Sequence, residues 1–269
     1  MKTALSVAGT DPTGGAGMHA DLKTFAAHGV YGMGAVTAVV AQDTLGVRSV
    51  MPVTRAMIRE QLSAVFEDIP PDAVKVGMVG NAESAREIAD ALTAFGARNV
   101  VVDPVLVATS GHALRSSGSL DSLVRALTEL LFPLSALVTP NIPEAETLAG
   151  IRIDGKERML EAAGIIRCRY GCAVLLKGGH SRGSCDDLLL GDSGAVWYPG
   201  RRIATENTHG TGCTLSAAIA SNLATGYSVA DAIGSAKAYL TGALSAGLDL
   251  GRGHGPVDHG WNARRVNAD

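Results

Sequence analysis

The stretch NTHGTGCTLSAA, residues 207–218, places Gly210, Thr211 and Gly212 ahead of an apolar run that opens with the thiol of Cys213. A helix beginning at Thr211 or Gly212 leaves its first amides without intrahelical acceptors, and the macrodipole adds partial positive charge there. Such a terminus holds an anion without a side-chain cation, and the glycines let the backbone approach closely. A glycine-rich turn with a capping threonine has the same local pattern, so the motif gains meaning from its partners. Asn141 and Glu144 stand three apart in NIPE, Lys177 precedes Gly178 and Gly179, and Asp103 ends the run NVVVD. A carboxylate beside a polyphosphate holds Mg2+, mostly through water, because that ion dehydrates reluctantly. A lysine at a strand end can lie against phosphate oxygens. Taken singly, Glu144 also fits as a first-turn acid and Lys177 as a surface lysine.

The elements that must position these groups alternate along the chain. ALSVAG, GAVTAVV, AVKVG, NVVVD, ALVTPN and AVLLKGG read as strands. Between them lie helical patterns through Leu22 and Phe25, from Thr54 through Phe66, from Ala82 to Phe95, around Leu120 to Leu131, and around Lys156 to Tyr170. This βαβα order predicts a mostly parallel central sheet covered by helices on both faces. DDLLLGDSGAVWYPG breaks the rhythm and predicts an antiparallel edge hairpin turning around Gly191 to Gly194. Two last helices are expected, Thr211 to Ala224 and Val229 to Ala246. The six strands are expected to end at Gly9 to Asp11, Gln42 and Asp43, Gly77 and Met78, Asp103 and Pro104, Thr139 to Asn141, and Lys177 to Gly179. Ligands of open α/β sheets bind outside those carboxyl ends, so the polar residues there point to one site.

The glycine-rich stretch GTDPTGGAG, residues 9–17, is not a Walker A loop, because Gly15 stands where the lysine should, and its spacing misses the dinucleotide fingerprint. It reads as a structural loop or as backbone lying close to a small ligand. The 269 residues are 46% hydrophobic and 18% charged, enough for a large core in a single domain spanning 1–269. A net charge of -3 argues against nucleic acid or an acidic membrane surface as partner. The uncharged stretch Gly29 to Gln42 is short of a membrane span, and the apolar start is broken at Gly9 too early for a signal peptide. A cytoplasmic protein is expected, with Cys168, Cys172, Cys185 and Cys213 reduced.

AGTDPTGGAGMHADLKT, TAVVAQDTLGV, VKVGMVG, VTPNIPEAETL, VLLKGGH, NTHGTGCTLSAA and GHGPVDHGW resemble, in order, the hydroxymethylpyrimidine/phosphomethylpyrimidine kinases of thiamine biosynthesis, from about residue 4 to residue 261. The resemblance implies a ribokinase-like α/β fold, ATP and Mg2+ with K+ as a second candidate cation, and a homodimer. It implies phosphorylation of the hydroxymethyl group of 4-amino-5-hydroxymethyl-2-methylpyrimidine, then of the monophosphate to the diphosphate. Gly9, Asp21, Gln42, Met78 and Val105 match the pyrimidine pocket, with Gln42 able both to donate to and to accept from the ring edge. Thr208, Gly210, Gly212 and Cys213 match the anion hole, and Thr211 within the same turn is a further catalytic candidate. Asn141 and Glu144 match the nucleotide-magnesium motif; Lys177 is expected beside the nucleotide and Asp103 beside the metal from their own chemistry, and the adenine is expected near the last two helices around Lys237. Cys213 would face the attacking oxygen with its pKa lowered by the helix terminus, as a weak base or a neutral hydrogen-bonding neighbour. A pyridoxal or dual-specificity vitamin kinase is the nearest alternative, and a non-catalytic pyrimidine sensor the alternative of another class.

Overall fold

A computed structural model describes residues 1–106, 119–179 and 185–265. His180, the last residue of the VLLKGGH stretch, lies outside them. Eight strands form one sheet: β1 (Thr3–Ala8), β2 (Tyr31–Val36), β5 (Ala73–Val76), β6 (Val100–Val102), β7 (Leu137–Val138), β8 (Val174–Leu176), β9 (Asp187–Gly191) and β10 (Gly194–Tyr198). Their spatial order is β10-β9-β8-β7-β6-β5-β1-β2. The pairings are parallel from β2 to β8, whereas β9 and β10 run antiparallel as the expected edge hairpin.

Alternate strand residues feed two cores. Leu5, Val7, Val74, Val76, Val100 and Val102 pack towards α2 (Arg55–Asp68), α3 (Ala82–Ala94), α4 (Leu120–Ala126), α5 (Ile142–Ala149) and α6 (Lys156–Tyr170). Ala4, Ala73 and Val101 face α1 (Gly17–Ala27), α7 (Thr211–Ala224) and α8 (Val229–Ser245). The period of two in each strand therefore dictates which layer a side chain enters. α4 continues as a π turn, Leu127–Leu131, so the pattern read over Leu120 to Leu131 holds with a changed hydrogen-bond period.

One expected strand is two. GAVTAVV divides at Thr37, with β2 in the main sheet and β3 (Ala38–Asp43) leaving it to pair antiparallel with β4 (Gly46–Pro52). The break has a tertiary cause: Thr37 is buried and its hydroxyl donates to the Met78 carbonyl at 2.6 Å, anchoring the chain where it turns away. Gln42 and Asp43 therefore end a strand of a separate two-stranded flap, not one of the central sheet. The flap buries only Ala38 and Val40 against Met78, and β4 shows no continuous apolar face in its sequence, which is why periodicity misses it.

Candidate active site

β1 lies between β2 and β5, so connections from neighbouring strands depart in opposite directions beside it. That switch point opens a crevice at the carboxyl edge of the sheet. A cavity of about 970 Å³ occupies it and is lined by thirteen of the fourteen residues singled out in the sequence.

α7 begins at Thr211, with Gly210 as its N-cap at φ 78°, a left-handed conformation natural to glycine. A Cβ at Gly210 would overlap the Gly15 carbonyl oxygen, so the loop after β1 rests directly on this turn. The first amide bonded in helical fashion is that of Thr214, which donates to the Gly210 carbonyl at 2.8 Å. Gly210, Thr211, Gly212 and Cys213 line the cavity at this end of the helix, ahead of its first helical hydrogen bond. Gly212 presents its bare Cα to Lys177 and Asp103: a Cβ there would sit 3.4 Å from Lys177 Nζ and 3.5 Å from Asp103 Oδ2. The helix terminus, the cation and the carboxylate thus meet at one point. Thr208 lines the same cavity, and its carbonyl accepts from the Thr211 amide at 3.4 Å.

Asp103 follows β6 and is 2% exposed. Its Oδ1 accepts from Lys177 Nζ at 2.8 Å and from Thr139 Oγ1 at 3.1 Å. Burial opposes its charge, but Lys177 and Lys75 prevail and hold the carboxyl below the ordinary range. Asn141 and Glu144 form a capping box at the start of α5, each side chain accepting from the other's amide at 2.9 Å. Asn141 also bridges in parallel to Lys177, which brings the two strand ends together. Burial raises the Glu144 carboxyl to about 7, with Lys177 pulling it down and Asp103 pushing it up. Among the described residues no three His, Cys, Asp or Glu gather as a metal cage. Two mutually repelling carboxylates that both line the cavity suit instead a hydrated divalent ion that takes its remaining ligands from water and phosphate. The residues present fit Mg2+ in that form.

The other end of the cavity is apolar and tight. Gly9 follows β1, and a Cβ there would crowd Met78 Sδ at 3.0 Å, so glycine keeps this floor flat. Val105 and Gln42 line the same cavity. Gln42 arrives on the flap, where a register shift between Ala41 and Gln42 interrupts the strand's alternation. Tyr198 and Lys237 line the same cavity, the latter bonded to Asp187 at 2.5 Å.

Asp21 is the exception. It does not line the cavity but is wholly buried, accepting from Ser6 Oγ at 2.5 Å and from Lys75 Nζ at 2.8 and 2.9 Å. Lys75 sits between Val74 and Val76, so it points to the α1 layer while they point to the other. Burial opposes the Lys75 charge, yet Asp21, Cys213 and Asp103 together raise its pKa. Burial also raises Asp21, against the pull of Lys75. Sequence reasoning passed over Lys75, and its only signal was a charge inside a valine run. The expected lowering of the Cys213 pKa is reversed as well. Burial raises the thiol, reinforced by Asp21 and Asp103, and these outweigh Lys75 and the Gly17 amide. At neutral pH Cys213 is a thiol.

A mostly parallel sheet with a crevice at its switch point, a glycine-capped helix terminus opening on it and a carboxylate pair beside that terminus are the features of the ribokinase-like class of small-molecule kinases. Residues 11–258 match the family model described as Phosphomethylpyrimidine kinase. The hydroxymethylpyrimidine/phosphomethylpyrimidine kinase of Rhizobium meliloti is 49% identical over 260 residues, covering 95% of this chain and 96% of that one. The crystal structure of phosphomethylpyrimidine kinase from Clostridium difficile superposes with a TM-score of 0.80 at 41% identity, covering 90% of this chain and 98% of that one. An ADP complex of Bacillus subtilis pyridoxal kinase superposes with a TM-score of 0.89 at 34% identity, covering 98% and 99%. The chain belongs to the phosphomethylpyrimidine kinase family.

Proposed function

We propose that this protein transfers the γ-phosphoryl group of ATP to the hydroxymethyl oxygen of 4-amino-5-hydroxymethyl-2-methylpyrimidine, and then transfers a second one to the monophosphate. The observation that carries the reading is the meeting of Gly212, Lys177 and Asp103 at one end of a cavity whose other end is walled by Gly9, Met78, Val105 and Gln42. Phosphoryl transfer asks mainly for alignment and charge stabilisation, which this arrangement offers. The turn of residues 210–213, through the amides of Gly212 and Cys213, takes the charge growing on the transferred group. Lys177 and Asn141 hold phosphate oxygens, with Thr208 beside them. Glu144 and Asp103 would hold Mg2+, largely through water, and the ion would supply positive charge against the phosphates. Gln42 reads the ring edge, and Cys213 accompanies the attacking oxygen as a neutral neighbour. Asp21 supports the pocket from behind through Lys75.

The single domain of 269 residues works in the cytoplasm as a homodimer in this reading. No helix among the described residues is long and apolar enough to cross a membrane. The outer face of the flap carries Val39 opposite Met51, 46% and 62% exposed, an apolar surface suited to a second copy. K+ is a further cation to test by substitution with Na+.

Pyridoxal is the second substrate to consider, on the strength of the likeness to the Bacillus subtilis pyridoxal kinase. The deciding experiment gives the enzyme Mg2+ and ATP with the pyrimidine alcohol, its monophosphate or pyridoxal, and follows phosphorylated product by mass spectrometry. The proposal expects turnover of the first two, with pyridoxal slower. Turnover of pyridoxal alone would overturn it, and pyrimidine binding without ATP consumption would point to a sensor.

A further inference from the structure

Asp11, two residues after Gly9, is wholly buried, and its carboxylate collects four hydrogen bonds. Oδ1 accepts from the amide and the hydroxyl of Thr13, both at 2.9 Å, and Oδ2 from the Ala16 amide at 2.7 Å. The fourth donor is His209 Nε2, at 2.8 Å from Oδ2, reaching across 198 positions of sequence. A carboxylate only accepts, so Nε2 carries the proton of this contact. Burial opposes the Asp11 charge, but the bonds from His209 and Thr13 hold its carboxyl below the ordinary range, so the acceptor is ionised at neutral pH.

His209 immediately precedes Gly210. Its amide donates to the Gly255 carbonyl at 3.0 Å, which fixes its backbone to the C-terminal segment. Its imidazole lies against Gly15, where a Cβ would be 2.6 Å from the ring. The loop it grips supplies Ala16 and Gly17 to the cavity wall beside Gly9. One side chain therefore ties the wall next to the substrate to the turn that opens α7.

We infer that His209, acting through Asp11, is a positioning residue that sets the spacing between the substrate-side loop and the anion hole. It thereby aligns the attacking oxygen with the transferred phosphoryl group, an inference that rests on the kinase reading above. His209 also borders the cavity, and its loss misaligns bound substrates. A displacement of about 1 Å at such a site costs on the order of 100-fold in rate.

The test replaces His209 by Ala, Asn and Gln in the full chain, because a Gln amide nitrogen can reach the place of Nε2 and that of Asn cannot. Steady-state kinetics use the pyrimidine alcohol and pyridoxal, and ADP affinity is measured separately by calorimetry. H209A and H209N are expected to lose about 100-fold in kcat while the ATP KM and ADP Kd shift less than about threefold, and H209Q recovers most of kcat. If H209A fails to fold, the Asn and Gln pair, similar in bulk and polarity, decides. A Gln variant no better than Asn, or a loss carried by KM and Kd, overturns the inference. Which alcohol the wild type phosphorylates judges the kinase reading separately, and a wild type inert on both would end both claims.

Discussion

Lys75 Nζ lies 2.8 Å from Asp21 Oδ2, and both side chains are wholly shielded from solvent, so β5 and α1 are joined by an ion pair inside the molecule. Removing one partner of such a pair strands the other's charge, whereas removing both can be nearly neutral. Lys75→Met is therefore expected to lower the unfolding free energy by about 3–5 kcal/mol, and Lys75→Met with Asp21→Leu to recover most of it. Urea unfolding of the three variants checks this. Equal losses in the single and double variants would show that the pair does not act as a unit.

Cys213 carries a neutral thiol beside a cavity that must accept an alcohol in one step and a phosphate in the next. A phosphate nucleophile needs no base, and a fixed carboxylate beside it repels it. Cys213→Asp is expected to depress kcat/KM for the monophosphate at least about tenfold more than for the alcohol, a difference of roughly 1.4 kcal/mol in transition-state stabilisation. Equal losses on the two substrates, measured at one pH and one Mg2+ concentration, would remove the charge argument.

Glu144 has a carboxyl raised to about 7, so near neutrality it is only partly ionised before a cation arrives. Metal ligands must be deprotonated, which makes affinity rise with pH. The Mg2+ concentration needed for half-maximal rate is expected to fall as pH is raised from about 6 to about 8. Glu144→Gln keeps a side-chain acceptor for the capping box but loses the titration, so its Mg2+ requirement becomes higher and nearly flat across that range. Mg2+ titrations of the rate at several pH values, at saturating ATP, provide the comparison.

His259 is 6% exposed, and its Nε2 lies 3.1 Å from Thr214 Oγ1, whose hydroxyl donates to the Gly210 carbonyl at 2.9 Å. Burial lowers its pKa to about 4, with Lys23 and His209 adding to the fall. A group whose folded pKa is depressed contributes stability that is fully present above its unfolded value of about 6.5. That contribution, about 3 kcal/mol, is lost progressively as pH falls from about 6.5 to about 4. Denaturant unfolding at stepped pH should show this slope in the wild type and a flatter one in His259→Gln.

Much of this protein was legible one residue at a time. The bounds of α7 follow from small residues before an apolar run, and the edge hairpin follows from a two-residue turn between β9 and β10. Asn141 and Glu144 declare a capped helix start by their spacing alone. The glycines at 9, 210 and 212 mark close backbone approaches, because a missing side chain is a local property that the sequence states directly.

Other features depend on what the rest of the chain brings alongside. The flap escapes periodicity because β3 and β4 bury little of their own, and Thr37 leaves the main sheet through a bond to Met78, 41 positions away. Asp21 matches a pocket position in sequence, yet Lys75 on a neighbouring strand turns it into half of an ion pair. The sign of the Cys213 shift reversed for a related reason: a helix terminus alone lowers a thiol's pKa, but folding buries this one near two carboxylates. Local chemistry and spacing determined which groups this protein possesses. Burial and long-range contact, which no short window of sequence contains, decided their charge and their partners.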